Sequence, residues 1–276
     1  MITPIKDYPA FLYKARHQRT LIIADLHLGW ETSLARKGIH IPSQMPKIQR
    51  KLLHLAEIVK PDSLMILGDV KHTIAKAERG EWQDVPDFFK SIETQIEKIQ
   101  IVRGNHDGNL EPLLLPTIKV YPSTGTTIGN VGFFHGHTWP APKLLACSTI
   151  VMGHVHPTVA FRDYLGLRIT SPAWIKASLD AKKLTDVYLE RRSKGARARN
   201  RSVAALKRLD RTESKKLVIM PCFNDFLGGR PINWKTERSR YVGPLLRSDA
   251  VNINAAEVYL LDGTFLGRVE QLSSLD

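Results

Sequence analysis

The first part of the chain alternates short strand-like runs with longer amphipathic segments. Runs at Thr20–Ala24, Ser63–Leu67 and Gln100–Arg103 each stop at polar or glycine residues and predict buried strands. Between them, Pro46–Lys60 and Asp84–Lys98 place apolar residues three or four positions apart, which predicts two helices. The order strand, helix, strand, helix, strand predicts a parallel α/β sheet covered by helices.

Beyond Asp107, strand-like runs follow one another with fewer helical segments between them. These runs are Ile118–Tyr121, Thr126–Ile128, Val131–His135, Ser148–Met152, Thr158–Arg162, Arg168–Thr170, Leu217–Met220, Glu257–Leu261 and Phe265–Val269. Two pairs of runs are separated by Gly129-Asn130 and by Asp262-Gly263, which predicts tight hairpins. The simplest assembly is a mixed core of two sheets with helices outside, in the α/β (α+β mixed) class.

Length and composition are compatible with that assembly. At 276 residues, 43% hydrophobic and 24% charged, the chain can bury a full core without disulfides. We expect one domain over residues 1–276 with a basic insert at about 191–216. Two cysteines far apart, Cys147 and Cys222, favour a reducing cytoplasm. No run is apolar and long enough for a membrane helix, and Met1–Ala10 predicts no secretory signal.

Positive charge is concentrated in the insert. The chain carries a net charge of +13, and residues 191–216 hold eleven Lys/Arg against two acidic residues. We expect this segment to be a solvent-exposed arm that binds nucleic-acid phosphates. The candidate contacts are Arg191, Arg192, Lys194, Arg197, Arg199 and Arg201. Two other interpretations remain: a solvated loop that only aids solubility, and an arm that contacts acidic proteins.

Polar residues that bind metals follow five of the strand-like runs. The segments are Asp25-Leu26-His27, Gly68-Asp69-Val70-Lys71-His72, Gly104-Asn105-His106-Asp107, His135-Gly136-His137 and Gly153-His154-Val155-His156. They contain seven of the ten histidines, and ligands of α/β sheets sit at the carboxyl ends of strands. Singly, each segment is compatible with a solvated turn or with histidines that cap carbonyl groups. All five together predict one metal centre.

Carboxylate, imidazole and amide ligands suit Mn, Fe or Zn better than soft ions such as Cu(I). A carboxylate can also bridge two cations held about 3.5–4 Å apart, a pair that activates water and clamps a phosphoryl oxygen. The residue types therefore point to metal-assisted hydrolysis.

The five segments, in this order and spacing, resemble the signature of the calcineurin-like metallophosphoesterase superfamily from about Leu21 to Pro157. The resemblance implies a four-layer αββα sandwich with a two-metal site. Gly68-Asp69-Val70-Lys71-His72 and the tail 220–231 (MPCFNDFLGGRP) resemble a narrower branch, the small prokaryotic DNA-ligase-associated phosphoesterases.

Carried over by position, the resemblance assigns Asp25, His27 and His156 to one metal, Asn105, His135 and His154 to the other, and Asp69 as the bridging carboxylate. His106 matches the family histidine that contacts the phosphoryl group and protonates the leaving oxygen. Asp107 would orient that imidazole through its other nitrogen, unless it only caps a turn. His137 is chemically as suitable a ligand as His135 and otherwise supports the ligands or contacts substrate.

Three further cationic or imidazole side chains lie beside these residues in the sequence. Lys71, His72 and Arg103 are candidates to bind a phosphate oxygen, and the alternative for each is an ion pair with a neighbouring carboxylate. 

The sequence therefore predicts a phosphoric ester hydrolase that uses two divalent ions, Mn²⁺ first and Fe, Zn, Ni or Co otherwise. Its expected substrate is a phosphodiester, nucleic-acid-related because of the basic insert, with DNA-processing proteins as possible partners. One alternative is a small-molecule phosphodiesterase or phosphatase with a non-functional basic loop. Another is a nucleic-acid-binding accessory protein with a weakly active metal site.

Overall fold

Two β-sheets and flanking helices make up the computed structural model, which describes residues 1–15, 18–193, 215–234 and 241–273. Of residues 191–193 it describes the backbone. The strands are β1 (Ile2–Pro4), β2 (Phe11–Ala15), β3 (Gln18–Ile23), β4 (Ser63–Leu67), β5 (Lys98–Val102), β6 (Lys119–Tyr121), β7 (Thr126–Ile128), β8 (Val131–Phe134), β9 (Thr149–Met152), β10 (Pro157–Arg162), β11 (Arg168–Leu179), β12 (Lys215–Ile219), β13 (Arg230–Pro231), β14 (Val251–Leu260) and β15 (Phe265–Arg268). The helices are α1 (Glu31–Ala35), α2 (Met45–Val59), α3 (Arg79–Glu93), α4 (Ala181–Ser193), α5 (Pro244–Arg247) and α6 (Val269–Leu272), with 3-10 turns at Glu111–Leu113 and Pro142–Ala146.

The first sheet has the strand order β1-β2-β3-β4-β5-β6. Strands β3 to β6 are parallel, and β1 and β2 extend the sheet as antiparallel edge strands. The predicted parallel core is therefore confirmed. Because β3, β4 and β5 are parallel neighbours, the polar residues that follow them meet at one edge.

The second sheet has the order β13-β10-β11-β12-β9-β8-β7, with β14 and β15 added alongside β11. Its strands β8, β9 and β12 are parallel neighbours, and the remaining pairs except β10–β13 are antiparallel. Both predicted hairpins form, with Ile128 opposite Val131 and Tyr259 opposite Phe265. The mixed α/β class with two mixed sheets is thus confirmed.

Three apolar layers hold the sheets and helices together. Side chains of β2, β3 and β4, including Phe11 and Met65, pack against Phe133, Val151 and Trp174 of the second sheet. A second layer lies between the outer face of the first sheet and helices α2 and α3. A third covers the outer face of the second sheet with α4, α5 and α6. These layers give the four-layer αββα arrangement.

Some element bounds differ from those predicted. Helix α3 was expected at Asp84–Lys98 but spans Arg79–Glu93, because a capping box formed by Glu78 and Glu81 starts it earlier. Ile96 and Ile99 lie beyond the helix yet pack in the same apolar cluster. Their spacing therefore continued the helical pattern in the sequence past the true end of the helix. Strand β11 continues to Leu179, well past the predicted end at Thr170.

The predicted basic insert ends earlier than residue 216. Lys215 and Lys216 belong to strand β12, where Lys215 is buried, and they are not part of an arm. The backbone at Arg191 and Arg192 continues helix α4, while Lys194, Arg197, Arg199 and Arg201 lie outside the described residues. Within the part of the chain that the structure describes, no helix is long and apolar enough to cross a membrane.

Candidate metal centre

The loops after five strands, β3, β4, β5, β8 and β9, meet at the shared edge of the two sheets. The first two loops run side by side: the His27 N–H donates to the Asp69 carbonyl at 2.8 Å, and the Leu28 N–H donates to the Val70 carbonyl at 2.8 Å. The fifth loop joins the first through the His154 N–H, which donates to Asp25 Oδ2 at 3.0 Å. All seven predicted ligands therefore lie in one cluster.

The backbone of these loops is held in an unusual conformation. Five predicted ligands, Asp25, His27, Asp69, His154 and His156, have positive φ angles between 46° and 71°. Residues other than glycine rarely adopt this left-handed region, and such backbone strain concentrates at functional sites. The fold thus bends the chain locally to aim these side chains inward.

Two glycines leave room for the ligands to approach one another. A Cβ at Gly68 would contact the His135 ring, and a Cβ at Gly104 would contact the Asp69 carboxylate and backbone. Gly68 also has a φ of +79°, which favours glycine. This close approach explains the glycine that precedes Asp69 and the one that precedes Asn105.

Asp69 lies at the centre of the cluster. Its Oδ2 atom is 3.2 Å from His135 Nε2 and 3.5 Å from His27 Nε2, while Oδ1 accepts the His106 N–H at 2.9 Å. His27 and His135 belong to two separate groups of potential ligands. The carboxylate therefore lies close to an imidazole of each group, as a bridging ligand would.

Three groups of side chains gather potential ligand atoms within 4.8 Å of one another. One contains Asp25, His27 and His156, a second contains Asp69, His135 and His154, and a third contains His27, His72 and His106. Asn105 joins the second group, since its Oδ1 is 3.1 Å from His135 Nε2. The first two groups contain residues that the resemblance assigned to separate metals, while the third places His72 and His106 beside His27.

Hydrogen bonds hold His135 in a ligand-ready orientation. Its Nδ1 donates to the Leu67 carbonyl at 2.7 Å, which leaves Nε2 facing Asn105 and Asp69. In the described part of the chain, the buried Nε2 of His27 has no hydrogen-bond partner. A buried nitrogen without a partner, aimed at a carboxylate, fits a metal ion between them.

Burial and charge together set the protonation of the histidines. Burial lowers the pKa of His27 to about 3 and that of His154 to about 4, so both imidazoles are neutral near pH 7. Burial acts the same way on His135, but Asp69 and Asp25 outweigh it and raise its pKa to about 9. His135 therefore holds a proton that a metal must displace.

The pKa values of the two aspartates shift downwards, in contrast to that of His135. Burial alone would raise the pKa of Asp25 and Asp69, yet His156 beside Asp25 and His135 beside Asp69 hold both pKa values below the usual range. Both carboxylates are ionised at neutral pH. Two buried carboxylates so close together form an electrostatic site for cations.

Metal binding is expected to release protons. At about pH 7.5, His135 is protonated, and a metal needs the free lone pair of its Nε2. Mn²⁺ binding should therefore release at least about one proton, and the affinity for Mn²⁺ should weaken as the pH falls. Calorimetry in buffers of different ionisation enthalpy measures this release, with the exposed His54→Asn variant as control. Binding without proton release would contradict the assignment of His135.

The calcineurin-like phosphoesterase family model matches residues 18–183, which is more than half of the chain. The chain belongs to the calcineurin-like phosphoesterase family. It is therefore a hydrolytic phosphoesterase, and the His/Asp groups described above fit the divalent metals that this family typically binds.

Solved structures that this chain resembles include a nuclease and a phosphoesterase. The crystal structure of the Pseudomonas putida nuclease MPE is 20% identical, with a TM-score of 0.54, over 95% of this chain and 98% of that chain. YfcE, a phosphoesterase from E. coli, is 21% identical, with a TM-score of 0.34, over 52% of this chain and 73% of that one. A comparison with curated proteins found no match.

The contacts of this phosphoesterase correct the expected role of Asp107. Its buried carboxylate accepts the backbone N–H groups of Asp69, Val70 and Gly104 at 2.7–2.9 Å, and burial raises its pKa to about 6. The Nδ1 of His106 instead lies against the carbonyl oxygen of His72. Asp107 thus fixes the loop backbone, in line with its alternative interpretation as a turn residue.

The predicted substrate contacts fall into two sets. Arg103 forms an ion pair with Glu111, and the buried Lys71 donates to the Thr73 carbonyl, so both have partners within the chain. His72 and His137 lie at the cluster itself. The Nδ1 of His72 is 3.4 Å from His27 Nδ1, and the His137 ring centroid is 5.2 Å from that of His135.

Two sets of supporting residues were not identified as such from the sequence. The tail after β12 braces the first ligand loop: the Cys222 thiol donates to the Asp25 carbonyl at 2.9 Å, and Asn224 Nδ2 donates to the Leu26 carbonyl at 2.8 Å. The second supporting residue is Glu81 of helix α3, whose carboxylate accepts the backbone N–H groups of His72 and Thr73. The tail motif was visible in the sequence, but Glu81 lies in an ordinary helical segment and carries no local signal.

Proposed function

We propose that this phosphoesterase hydrolyses phosphodiesters with two divalent metal ions, Mn²⁺ foremost. The supporting observation is the position of the Asp69 carboxylate between the two ligand groups. Asp25, His27 and His156 would hold one ion, and Asn105, His135 and His154 the other. When bound, the two ions supply the positive charge that lowers the pKa of water and neutralises phosphoryl oxygens.

The side chains of the protein supply orientation and proton transfer. Because a carbonyl oxygen only accepts, the contact with His72 keeps the proton of His106 on Nδ1 and turns Nε2 towards Asp69, at 4.0 Å from its Oδ2. His106 Nε2, when protonated, would then donate to the leaving oxygen. His137 would remain beside His135 as a contact for ligand or substrate.

For the substrate we propose nucleic acid. Support comes from residues 191–214, where nine Lys/Arg against two acidic residues give a net charge of +7, from the tail 220–231, and from the fold shared with a nuclease. That tail and the segment 68–72 also support placement in the DNA-ligase-associated branch, with DNA-processing proteins as partners. The buried free thiols of Cys147 and Cys222 are in keeping with the cytoplasmic location that we infer.

A metal-dependence assay tests the proposal. Purified protein stripped with chelator is expected to regain turnover of bis-(p-nitrophenyl) phosphate with Mn²⁺, and to cleave single- or double-stranded DNA under the same conditions. Phosphate mono-esters and cyclic di-esters complete the screen. Absence of metal-dependent turnover for every ester would overturn it. Turnover of small esters alone would favour a small-molecule substrate.

Deleting residues 192–202 is expected to weaken nucleic-acid binding and flatten its salt dependence. Each neutralised phosphate contributes a slope of about 0.7–0.9 in log affinity against log salt, with little effect of base sequence. Salt titrations of both proteins measure the slopes. Hydrolysis of bis-(p-nitrophenyl) phosphate should hardly change, because no proposed ligand lies there, and equal slopes would show that the segment does not bind phosphates.

A further inference from the structure

Glu81 is a fully buried carboxylate that belongs to neither proposed ligand group. Its Oε2 accepts the Glu78 N–H at 2.9 Å, which completes the capping box of helix α3. Its Oε1 accepts two more backbone N–H groups, from Thr73 at 2.7 Å and from His72 at 3.0 Å. Helix capping accounts for only one of these three bonds.

The segment that Oε1 holds follows the proposed bridging ligand in sequence. It is fixed on its other side as well, since the His72 N–H also lies 3.0 Å from the Leu28 carbonyl. Glu81 touches that first ligand loop directly, because a Cβ at Gly29 would lie 2.8 Å from Glu81 Cγ. The carboxylate therefore ties helix α3 to both loops at the centre of the site.

A buried carboxylate needs compensation, and the same segment provides it. Lys71 is also fully buried, and its ammonium group donates to the Thr73 carbonyl while it interacts electrostatically with three carboxylates, those of Glu81, Asp107 and Asp69. Without such a charge, burying Glu81 would be costly. Lys71 thus supplies positive charge among buried carboxylates that include Glu81.

His72 connects this support to the reacting groups. Its carbonyl oxygen accepts from His106 Nδ1, and its imidazole Nδ1 lies 3.4 Å from the Nδ1 of His27. Any shift of this residue would turn the His106 ring, whose other nitrogen faces the site. Small displacements of a proton donor cost rate because proton transfer needs hydrogen-bond geometry.

We propose that Glu81 is a positioning residue for His106: it holds residues 72 and 73 so that the His72 carbonyl fixes the imidazole, the role first expected of Asp107. This inference rests on the proposed function, in which His106 assists the leaving group. Support would then run from helix α3 through residues 72 and 73 to the proton donor, His106.

The test compares Glu81→Ala with Glu78→Ala, which disturbs the same capping box without touching residues 72 and 73. Loss of a supporting contact typically costs about 10–100-fold in activity, so Glu81→Ala should lower kcat by that factor with bound metal retained. The loss should be larger for phenyl than for p-nitrophenyl esters, which need less protonation. Glu78→Ala should stay within about threefold of wild type.

A double-mutant cycle with His106→Asn distinguishes positioning from general stabilisation. If Glu81 acts through His106, Glu81→Ala should cost little more once His106 is replaced. Independent multiplicative losses, equal losses in both capping variants, or no change in leaving-group dependence would each overturn the proposal. If Glu81→Ala does not fold, Glu81→Asp, which keeps the charge but is one methylene shorter, must show the same pattern. An inactive wild-type protein would instead refute the proposed function.

Discussion

Asp69→Asn is expected to lose both metal ions and nearly all turnover. The substitution preserves the shape of the side chain but removes its negative charge from between the two proposed metal sites, where Asp69 Oδ2 faces both His27 and His135. Loss of one shared ligand should therefore impair both positions, whereas loss of an outer ligand should affect mainly one. Elemental analysis after loading with Mn²⁺ and gel filtration measures the occupancy.

Asp62→Asn is the matched control. Asp62 is also an aspartate that accepts a backbone N–H, from Arg19 at 2.6 Å, but it lies where β4 begins, at the opposite end from the metal centre. It should keep two equivalents of metal and full activity. If Asp69→Asn also keeps two equivalents and full turnover, Asp69 does not bridge.

His106→Asn is expected to keep the metals and lose about 10²–10⁴-fold in turnover, the usual contribution of general acid catalysis. The reason is geometric: the His72 carbonyl occupies Nδ1, so that Nε2 is the nitrogen available to the leaving oxygen. Parallel measurements with p-nitrophenyl and phenyl esters should show the smaller loss for the better leaving group. 

His154→Asn provides the contrast to that result. His154 lies in a ligand group with Asp69 and His135, and its replacement should reduce metal content along with activity. A His106 variant that behaves like the His154 variant, losing metal and turnover together, would place His106 among the ligands.

The clustering of the five metal-binding segments could be predicted because it depends on short-range pattern. Strands such as Ser63–Leu67 end where their apolar run ends, and the parallel order of β3, β4 and β5 places the following residues at one edge. The glycine before Asp69 leaves room for the His135 ring, which a Cβ at that position would contact. Local sequence and topology thus suffice for the cluster.

The supporting contacts could not be predicted because they join distant segments. Asp107 follows His106 directly, so a contact between their side chains was the natural expectation, yet the turn aims the carboxylate at three backbone N–H groups. Glu81 reaches residues 72 and 73 only because α3 starts at Arg79, five residues before the predicted start. Because the predicted helix began after Glu81, the sequence did not indicate that this residue is a buried carboxylate beside the site.

The most direct test of the two-metal centre is a crystal structure of the Mn²⁺-loaded protein with anomalous diffraction at the manganese edge. We predict two anomalous peaks about 3.5–4 Å apart, one on either side of Asp69. One should contact Asp25, His27 and His156, and the other Asn105, His135 and His154. A single peak, or peaks away from Asp69, would contradict the account.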